Sequence, residues 1–110
     1  MVHRMEVLRR IKEVISEVAI RHGIDVDKVI LFGSRARGDF RENSDWDLLV
    51  ITKTKYGRRV VREFLLEVRR ALVDIGIVPE IIVVEKYTVE KYKKHTGYVY
   101  YHALAEGIVL

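Results

Sequence analysis

The sequence predicts an α/β (α+β) fold in which a mixed β-sheet is flanked by helices. Two long stretches carry apolar residues at helical spacing, and three short apolar runs lie between turn-forming residues. Helical stretches and short runs alternate along the chain, which is typical of a single sheet with helices packed on it. The chain of 110 residues is expected to form one domain over residues 1–110.

The first helix is predicted over roughly residues 4–22. Apolar side chains recur there at helical spacing and charged side chains fill the other face, as in an amphipathic helix. Gly23 follows, and glycine commonly ends a helix. The apolar run Val26–Phe32 then predicts the first strand, and a short helix or turn after Ser34 is expected to end near Gly38.

The rest of the chain continues this alternation. Six further elements are predicted, namely a strand over 45–52, a long helix over 60–76, a strand over 77–84, a helix over 88–93, a helix that ends near 106 and an edge strand over 108–110. Thr88 is expected to cap the helix that it begins. The run over 77–84 is apolar on both faces, which predicts that both of its sides are covered.

Composition excludes several classes of protein. Apolar residues make up 49% of the chain and charged residues 33%, as in a folded globular domain rather than a disordered segment. The sequence contains no cysteine, which excludes disulfides, thiolate metal sites and cysteine nucleophiles. No apolar run approaches the roughly 18–20 residues that span a bilayer, and the N-terminus does not resemble a signal peptide. A cytoplasmic location without a membrane partner is therefore expected.

The net charge of +4 suits a partner that carries phosphates, either a nucleotide or RNA. An equal alternative is that Lys and Arg simply solvate helix faces. The same two interpretations apply to five arginines on the second long helix, where surface solvation is the default and an acidic or RNA partner the alternative. These are Arg58, Arg59, Arg62, Arg69 and Arg70.

The most informative stretch lies between the first two predicted strands. Gly33 and Ser34 directly follow one apolar run, and Asp45 and Asp47 open the next. Because side chains alternate along a strand, the two carboxylates face the same way and repel each other unless a cation lies between them. Hard divalent cations such as Mg²⁺ prefer oxygen ligands, and a pair of them suits in-line phosphoryl transfer.

The Gly-Ser pair supplies features of a phosphate site. Gly33 permits a sharp turn and a close approach of the backbone to a ligand. Ser34 brings a hydroxyl and is a residue type that often caps the N-terminus of a helix. The free N–H groups of such a helix favour phosphate, and Arg35 and Arg37 add positive charge that suits phosphate oxygens. Either half of the motif alone is more often a solvated turn, but the two halves together, each beside an apolar run, favour a functional site.

Gly33-Ser34, ten intervening residues and then Asp45-x-Asp47 resemble the signature of the DNA polymerase β-type nucleotidyltransferase superfamily. The fuller string GSRARGDFRENSDWDLLV is similar to the smallest branch, the minimal nucleotidyltransferases, whose members are about as long as this chain. Asp39 is a departure, since a small or neutral residue is expected after Arg-Gly. The resemblance implies the polymerase β-like nucleotidyltransferase palm fold and two Mg²⁺ ions held by acidic side chains.

Glu80 is the candidate for a third carboxylate. It lies early in the third predicted strand, where a charged side chain is costly to bury unless it is paired or bound to a metal. The superfamily has a third acidic residue on a following strand, so the resemblance implies that Glu80 binds the catalytic metal or accepts a proton. From its position in the third strand, Glu80 is expected to lie beside Asp45 if the two strands are neighbours. The usual residue there is Asp. A solvent-facing Glu80 and a role for Asp74 are the alternatives.

The resemblance implies metal-dependent nucleotidyl transfer, with Asp45, Asp47 and Glu80 as catalytic and metal-binding residues. ATP or another nucleoside triphosphate is the expected donor, AMP the transferred group and a hydroxyl the acceptor. In prokaryotes the minimal branch often provides the antitoxin of a HEPN-type ribonuclease toxin, so a tyrosine hydroxyl on such a toxin is the implied acceptor. The chain is too short for an added templating domain, so non-templated nucleic acid stays open as a partner and a homo- or hetero-oligomer is expected.

Two other functions stay open at this point. One is a binding module, a non-catalytic antitoxin that neutralises a toxin by contact. The other is a transferase acting on a small molecule such as an aminoglycoside, which the lack of a second domain disfavours. The intact Ser34, Asp45 and Asp47 favour catalysis over a vestigial site.

Histidines and tyrosines outside this motif are expected to be structural. The histidines lack the spacing of a metal site and are expected at the surface or in the core; they are His3, His22, His95 and His102. An aromatic cluster on the last helix favours packing on the sheet over stacking on a base or a partner chain; it consists of Tyr98, Tyr100, Tyr101 and His102.

Overall fold

The computed structural model describes residues 4–110 and folds them into five helices and a four-stranded sheet. In chain order the elements are α1 (Arg4–Arg21), β1 (Val26–Phe32), α2 (Ser34–Arg37), β2 (Trp46–Thr52), α3 (Arg58–Asp74), β3 (Pro79–Glu85), α4 (Lys86–Tyr92), α5 (Val99–Glu106) and β4 (Ile108–Val109). The predicted order of elements is confirmed, and so is the α/β class with helices on a mixed sheet.

The strands lie in the order β3-β2-β1-β4. β2 and β3 are parallel, whereas β1 runs antiparallel to both β2 and β4. A parallel pair needs a crossover connection, and α3 provides it. As a result the start of β2, the end of β1 and the start of β3 meet at one end of the sheet.

Each face of the sheet has its own hydrophobic core. The larger core lies under α1 and α3 and is built from Leu8, Ile11, Val14, Ile15, Val18, Ala19, Ile24, Val29, Leu31, Leu48, Val50, Phe64, Val68, Leu72, Ile77 and Ile81. The smaller core lies under α4 and α5 and is built from Ile30, Leu49, Ile51, Val84, Val89 and Ala103. Alternate residues of β2 point into different cores, as the two-residue period of a strand requires. We call the two sides the α1/α3 face and the α4/α5 face.

Several boundaries differ from the sequence-based expectation. β2 begins at Trp46 rather than Asp45, because the bond from Trp46 N–H to the carbonyl of Val78 (2.9 Å) is the first that ties this segment to the next strand. β3 begins at Pro79, a residue that a sheet tolerates at the start of an edge strand. The predicted cap at Thr88 is wrong: α4 begins at Lys86, and the Thr88 hydroxyl donates to the Glu85 carboxylate at 3.3 Å.

Two findings bear on the remaining expectations. Within residues 4–110, each helix is too short or too polar to cross a bilayer. His3, one of the histidines considered above, lies outside the described residues.

Candidate functional site

The acidic residues predicted from the sequence lie at the end of the sheet where β1, β2 and β3 meet. Asp47 is paired with Phe32 across the antiparallel ladder and with Glu80 across the parallel one. Residues paired in this way project to the same face, so Asp47 and Glu80 share the α4/α5 face. The expected match of Glu80 with Asp45 is wrong by two residues, since the register places Glu80 beside Asp47.

Asp45 and Glu80 both lie close enough to act electrostatically on Asp47. Partial burial raises the pKa of the Asp47 carboxyl above its ordinary value, and the negative charges of Asp45 and Glu80 raise that pKa further. The positive charge of Arg37 acts in the opposite direction. The site therefore carries concentrated negative charge that a bound cation would relieve.

The donor set fits a hard divalent cation. All three side chains offer carboxylate oxygen, the ligand atom that Mg²⁺ prefers. In the part of the chain that the structure describes, no three acidic, histidine or cysteine side chains are already gathered into a cage for an ion. Mg²⁺ is usually held by one or two carboxylates and completes its shell with water and substrate phosphate, so two aspartates would satisfy its need for protein ligands. A metal role for Asp45, Asp47 and Glu80 stays a prediction.

Gly33 lies directly against the carboxylate of Asp47. Its φ of 72° is in the left-handed region that favours glycine. A Cβ at this position would lie 3.0 Å from Cγ of Asp47 and would overlap its Oδ2. The two halves of the motif, eleven or more residues apart in sequence, are therefore packed together through a contact that admits no side chain at position 33.

Ser34 begins α2, a single turn of helix that the surrounding structure holds in place. The guanidinium of Arg4 donates to the carbonyls of Arg35 (3.0 Å) and Ala36 (3.3 Å). Arg37 pairs with Glu106 at the end of α5 (3.0 Å) and with Asp39 (3.3 Å). The Gly-Ser turn is thus anchored to α1 and α5, and the positive charge of Arg37 is close enough to act on Asp47.

Arg35 is turned differently from the sequence-based expectation. Its guanidinium carbon lies 4.4 Å from the ring centre of Phe40 and 4.5 Å from that of Trp46. Its Nε and Nη2 donate to the carbonyls of Ser44 and Glu42 at 2.9–3.2 Å. These donors serve the connection between α2 and β2 instead of facing a phosphate. The signal that sequence reasoning missed was the presence of two aromatic residues, Phe40 within that connection and Trp46 directly after it.

The other candidates make contacts typical of structural residues. Of the aromatic cluster that was predicted to pack on the sheet, Tyr100 packs against the smaller core, whereas the other three members are exposed, namely Tyr98, Tyr101 and His102. Tyr98 precedes α5 and stacks between Tyr92 (4.6 Å between ring centres) and Tyr100 (6.1 Å). His22 hydrogen-bonds to Glu67 at 3.0 Å, and His102 donates to the carbonyl of Thr96. Asp74 is exposed at the last position of α3.

Comparison with known proteins places this geometry in a family. A model described as "Nucleotidyltransferase domain" matches residues 9–109. Two proteins of Methanocaldococcus jannaschii, both named "Putative protein adenylyltransferase", are similar in sequence. One is 29% identical over 104 residues, which is 93% of this chain and 95% of that protein. The other is 45% identical over 49 residues, and this match spans only 44% of this chain and half the length of that protein.

Solved structures share the fold at low sequence identity. The structure of a putative nucleotidyltransferase from Sulfolobus solfataricus has a TM-score of 0.57 at 24% identity and covers 94% of this chain and 80% of that chain. A toxin-antitoxin structure with AMP-PNP has a TM-score of 0.56 at 16% identity, over 88% of this chain and 69% of that chain. A mutant of the toxin-antitoxin MntA-HpeT has a TM-score of 0.54 at 14% identity, over 86% and 68%. At such identities the likeness concerns the fold alone.

Proposed function

The chain belongs to the nucleotidyltransferase domain family, and from this premise we propose that it transfers AMP from ATP to an acceptor hydroxyl in a Mg²⁺-dependent reaction, as a single domain. The observation that carries the proposal is the placement of Asp47, which is packed against the Gly33 turn and paired in register with Glu80. The family signature and the carboxylates thus meet in one place at the open end of the sheet.

Each part of the site has a role in this reaction. The backbone turn at Gly33 and Ser34 receives the phosphates of the nucleotide, and Asp45 and Asp47 hold the metal. Two Mg²⁺ ions, when bound, would supply the positive charge that offsets the phosphate oxygens. Glu80 lies beside Asp47, where it completes the acidic set or accepts the proton of the acceptor hydroxyl.

The transfer itself exchanges a phosphoanhydride bond of the nucleotide for a phosphoester bond to the acceptor. The acceptor oxygen forms a bond to the α-phosphorus, the bond from the α-phosphorus to its bridging oxygen breaks, and pyrophosphate leaves. The proton of the acceptor hydroxyl goes to a carboxylate of the site. The contribution of the protein is orientation and a fixed electrostatic environment, which together supply most of the acceleration in this class of reaction.

The acceptor that we propose is a hydroxyl on a partner protein, a HEPN-type toxin that the chain neutralises as an antitoxin. Two features support this. The two sequence relatives are named as protein adenylyltransferases, and two of the structures with this fold are toxin-antitoxin complexes. The donor ATP, the number of ions and a complex of the chain with its toxin are parts of the same proposal.

Labelled ATP tests the proposal directly. The purified chain and the protein encoded beside its gene are incubated with ATP labelled at the α-phosphate and Mg²⁺, and the label on each protein is measured. We expect label on the neighbour with the wild-type chain and with Asp74→Asn, an exposed carboxylate outside the site. The double variant Asp45→Asn, Asp47→Asn should abolish it.

Two outcomes would contradict parts of the proposal, namely the role of the two aspartates or transfer as the means of neutralisation. Undiminished labelling by the double variant would show that these aspartates do not carry the chemistry. Neutralisation of the toxin that survives the double substitution, with no label on the toxin, would instead support the contact-only antitoxin.

A further inference from the structure

We propose that Arg35 is a positioning residue that fixes Asp45, and that its task is not to bind the triphosphate. The inference rests on the proposed function, because it assigns Asp45 to the metal. It starts from one observation: a single guanidinium contacts both residues that adjoin Asp45 in the chain. The carbonyl of Ser44 accepts from Nε and Nη2 at 3.2 and 3.0 Å, and the ring of Trp46 lies beneath the guanidinium.

Asp45 needs such support because it stands outside the sheet. Strand β2 begins one residue later, at Trp46. The N–H group of Trp46 makes the first hydrogen bond to the neighbouring segment, with the carbonyl of Val78 as acceptor. The segment before Asp45 is exposed over residues 37–43. Exposed connections without ladder hydrogen bonds open more easily than strands.

Asp47 is held in another way. Its backbone is part of β2 and is paired with β1 on one side and β3 on the other, and its carboxylate packs against Gly33. Of the two aspartates, Asp45 is therefore the one whose position depends on side-chain contacts. Metal affinity depends on such contacts, since loss of the groups that orient a ligand typically costs about 10–100-fold.

The contacts of Arg35 extend through the whole connection. The carbonyl of Glu42 accepts from Nη2 at 2.9 Å, and Phe40 lies at 4.4 Å from the guanidinium carbon. Within the connection, Ser44 and Arg41 exchange two hydrogen bonds, one through the serine hydroxyl (2.8 Å) and one through the backbone (3.0 Å). Arg35 thus stabilises the turn that precedes β2 and positions Asp45, the last residue of this turn, in the site.

Only arginine meets these requirements. A planar guanidinium stacks on aromatic rings and donates in its own plane at the same time, whereas the ammonium of lysine is a point charge without a plane. A lysine at position 35 would keep the charge that attracts a nucleotide. It would not be able to donate to the carbonyl of Ser44 and stack on the ring of Trp46 at the same time. This difference separates a positioning role from a phosphate-binding role.

The test compares Arg35→Lys and Phe40→Leu with Arg41→Lys, which changes an exposed arginine of the same connection. Binding of Mn²⁺ alone is measured by electron paramagnetic resonance, and binding of an unreactive ATP analogue without metal is measured by calorimetry. We expect Arg35→Lys to weaken Mn²⁺ binding by about 10-fold or more and Phe40→Leu to weaken it by a smaller factor. Arg41→Lys should match the wild type, and metal-free nucleotide binding should change little in all three.

Hydrogen-deuterium exchange supplies a second readout that needs neither metal nor activity. Amides of residues 40–45 should exchange faster in Arg35→Lys and Phe40→Leu, while those of β2 keep their protection. Weaker nucleotide binding in Arg35→Lys with unchanged Mn²⁺ affinity and unchanged exchange would overturn the inference in favour of a phosphate ligand. Failure of the transfer reaction in the wild type would contradict the proposed function. The hydrogen-deuterium exchange data would still decide whether Arg35 stabilises the connection between α2 and β2.

Discussion

The two faces of the sheet are covered to different extents, and the difference explains how a small chain can fold stably and still present an open site. The α1/α3 face lies under helices of 18 and 17 residues, whereas the α4/α5 face lies under helices of 7 and 8 residues. The short helices cover the middle of the sheet but not the end that carries Asp47 and Glu80.

Strand β2 serves both faces at once. Leu48 and Val50 point into the larger core, and Leu49 and Ile51 point into the smaller one. Asp47 continues the second row, beyond the end of the smaller core. The α1/α3 face therefore contributes most of the burial that stabilises the fold, and the α4/α5 face carries the proposed site.

The largest effect that we expect comes from emptying the larger core. Phe64 is fully buried on the inner face of α3, and Phe64→Ala should reduce the free energy of unfolding by about 3–5 kcal/mol. Val89→Ala, in the smaller core, should cost only about 1–2 kcal/mol on the basis of the two methyl groups removed. Denaturant unfolding of both variants measures the difference. Equal losses would show that the two faces share the stability of the fold evenly.

The next effect separates activity from stability at the end of β2. Asp47→Asn should reduce nucleotidyl transfer by at least about 100-fold, since loss of a ligand should cost no less than loss of a group that orients it. The same change should leave the unfolding temperature unchanged or higher, because burial and the charges of Asp45 and Glu80 disfavour the ionised Asp47 in the fold. Transfer assays and thermal unfolding check the two halves. A large loss of stability would mean that Asp47 belongs to the folding core.

A pair of glycine variants tests the packing between Gly33 and Asp47. Gly33 and Gly38 both have positive φ, 72° and 90°; alanine should cost about 1–2 kcal/mol of stability at Gly38, which is left-handed helical, and more at Gly33, whose ψ of −159° lies in a region that is essentially restricted to glycine. Only at Gly33 does the added Cβ meet Asp47, whereas no atom lies within 4 Å of one at Gly38. Gly33→Ala should therefore lose about 10-fold more Mn²⁺ affinity than Gly38→Ala. Similar losses for the two would contradict the contact between Gly33 and Asp47.

The smallest effect concerns a tie between α1 and α3 on the outside of the larger core. Hydrogen bonds from His22 and then Arg21 lower the pKa of the Glu67 carboxyl. A carboxyl whose pKa is lowered by folding adds stability above its unfolded pKa and loses it as the pH falls through the lower folded value. Glu67→Gln should remove the contribution of Glu67 to the loss of folding stability at low pH. Unfolding temperatures below pH 5 measure it, with Glu13→Gln, an exposed glutamate of α1, as the control.

The sequence predicts the scaffold better than the details of the site. Apolar periodicity and turn-forming residues are local signals, and together they were sufficient to place the elements in order, including a short helix or turn after Ser34. The register of β3 is not a local property, because it depends on where the crossover through α3 lets Pro79 join the sheet. The structure therefore pairs Glu80 with Asp47, whereas the sequence-based prediction had paired it with Asp45. The orientation of Arg35 depends on Phe40 and Trp46, whose positions only the folded connection defines.

The parallel pairing of β2 with β3 also fixes when the site is finished during folding. Asp47 reaches Gly33 across the short connection between two adjacent antiparallel strands, but it reaches Glu80 only after α3 has crossed over the sheet and docked. Pairings between distant parts of a chain form late, because the entropy of closing the intervening loop opposes them. Of the three carboxylates in the proposed site, we therefore expect Glu80 to arrive last, once α3 has docked.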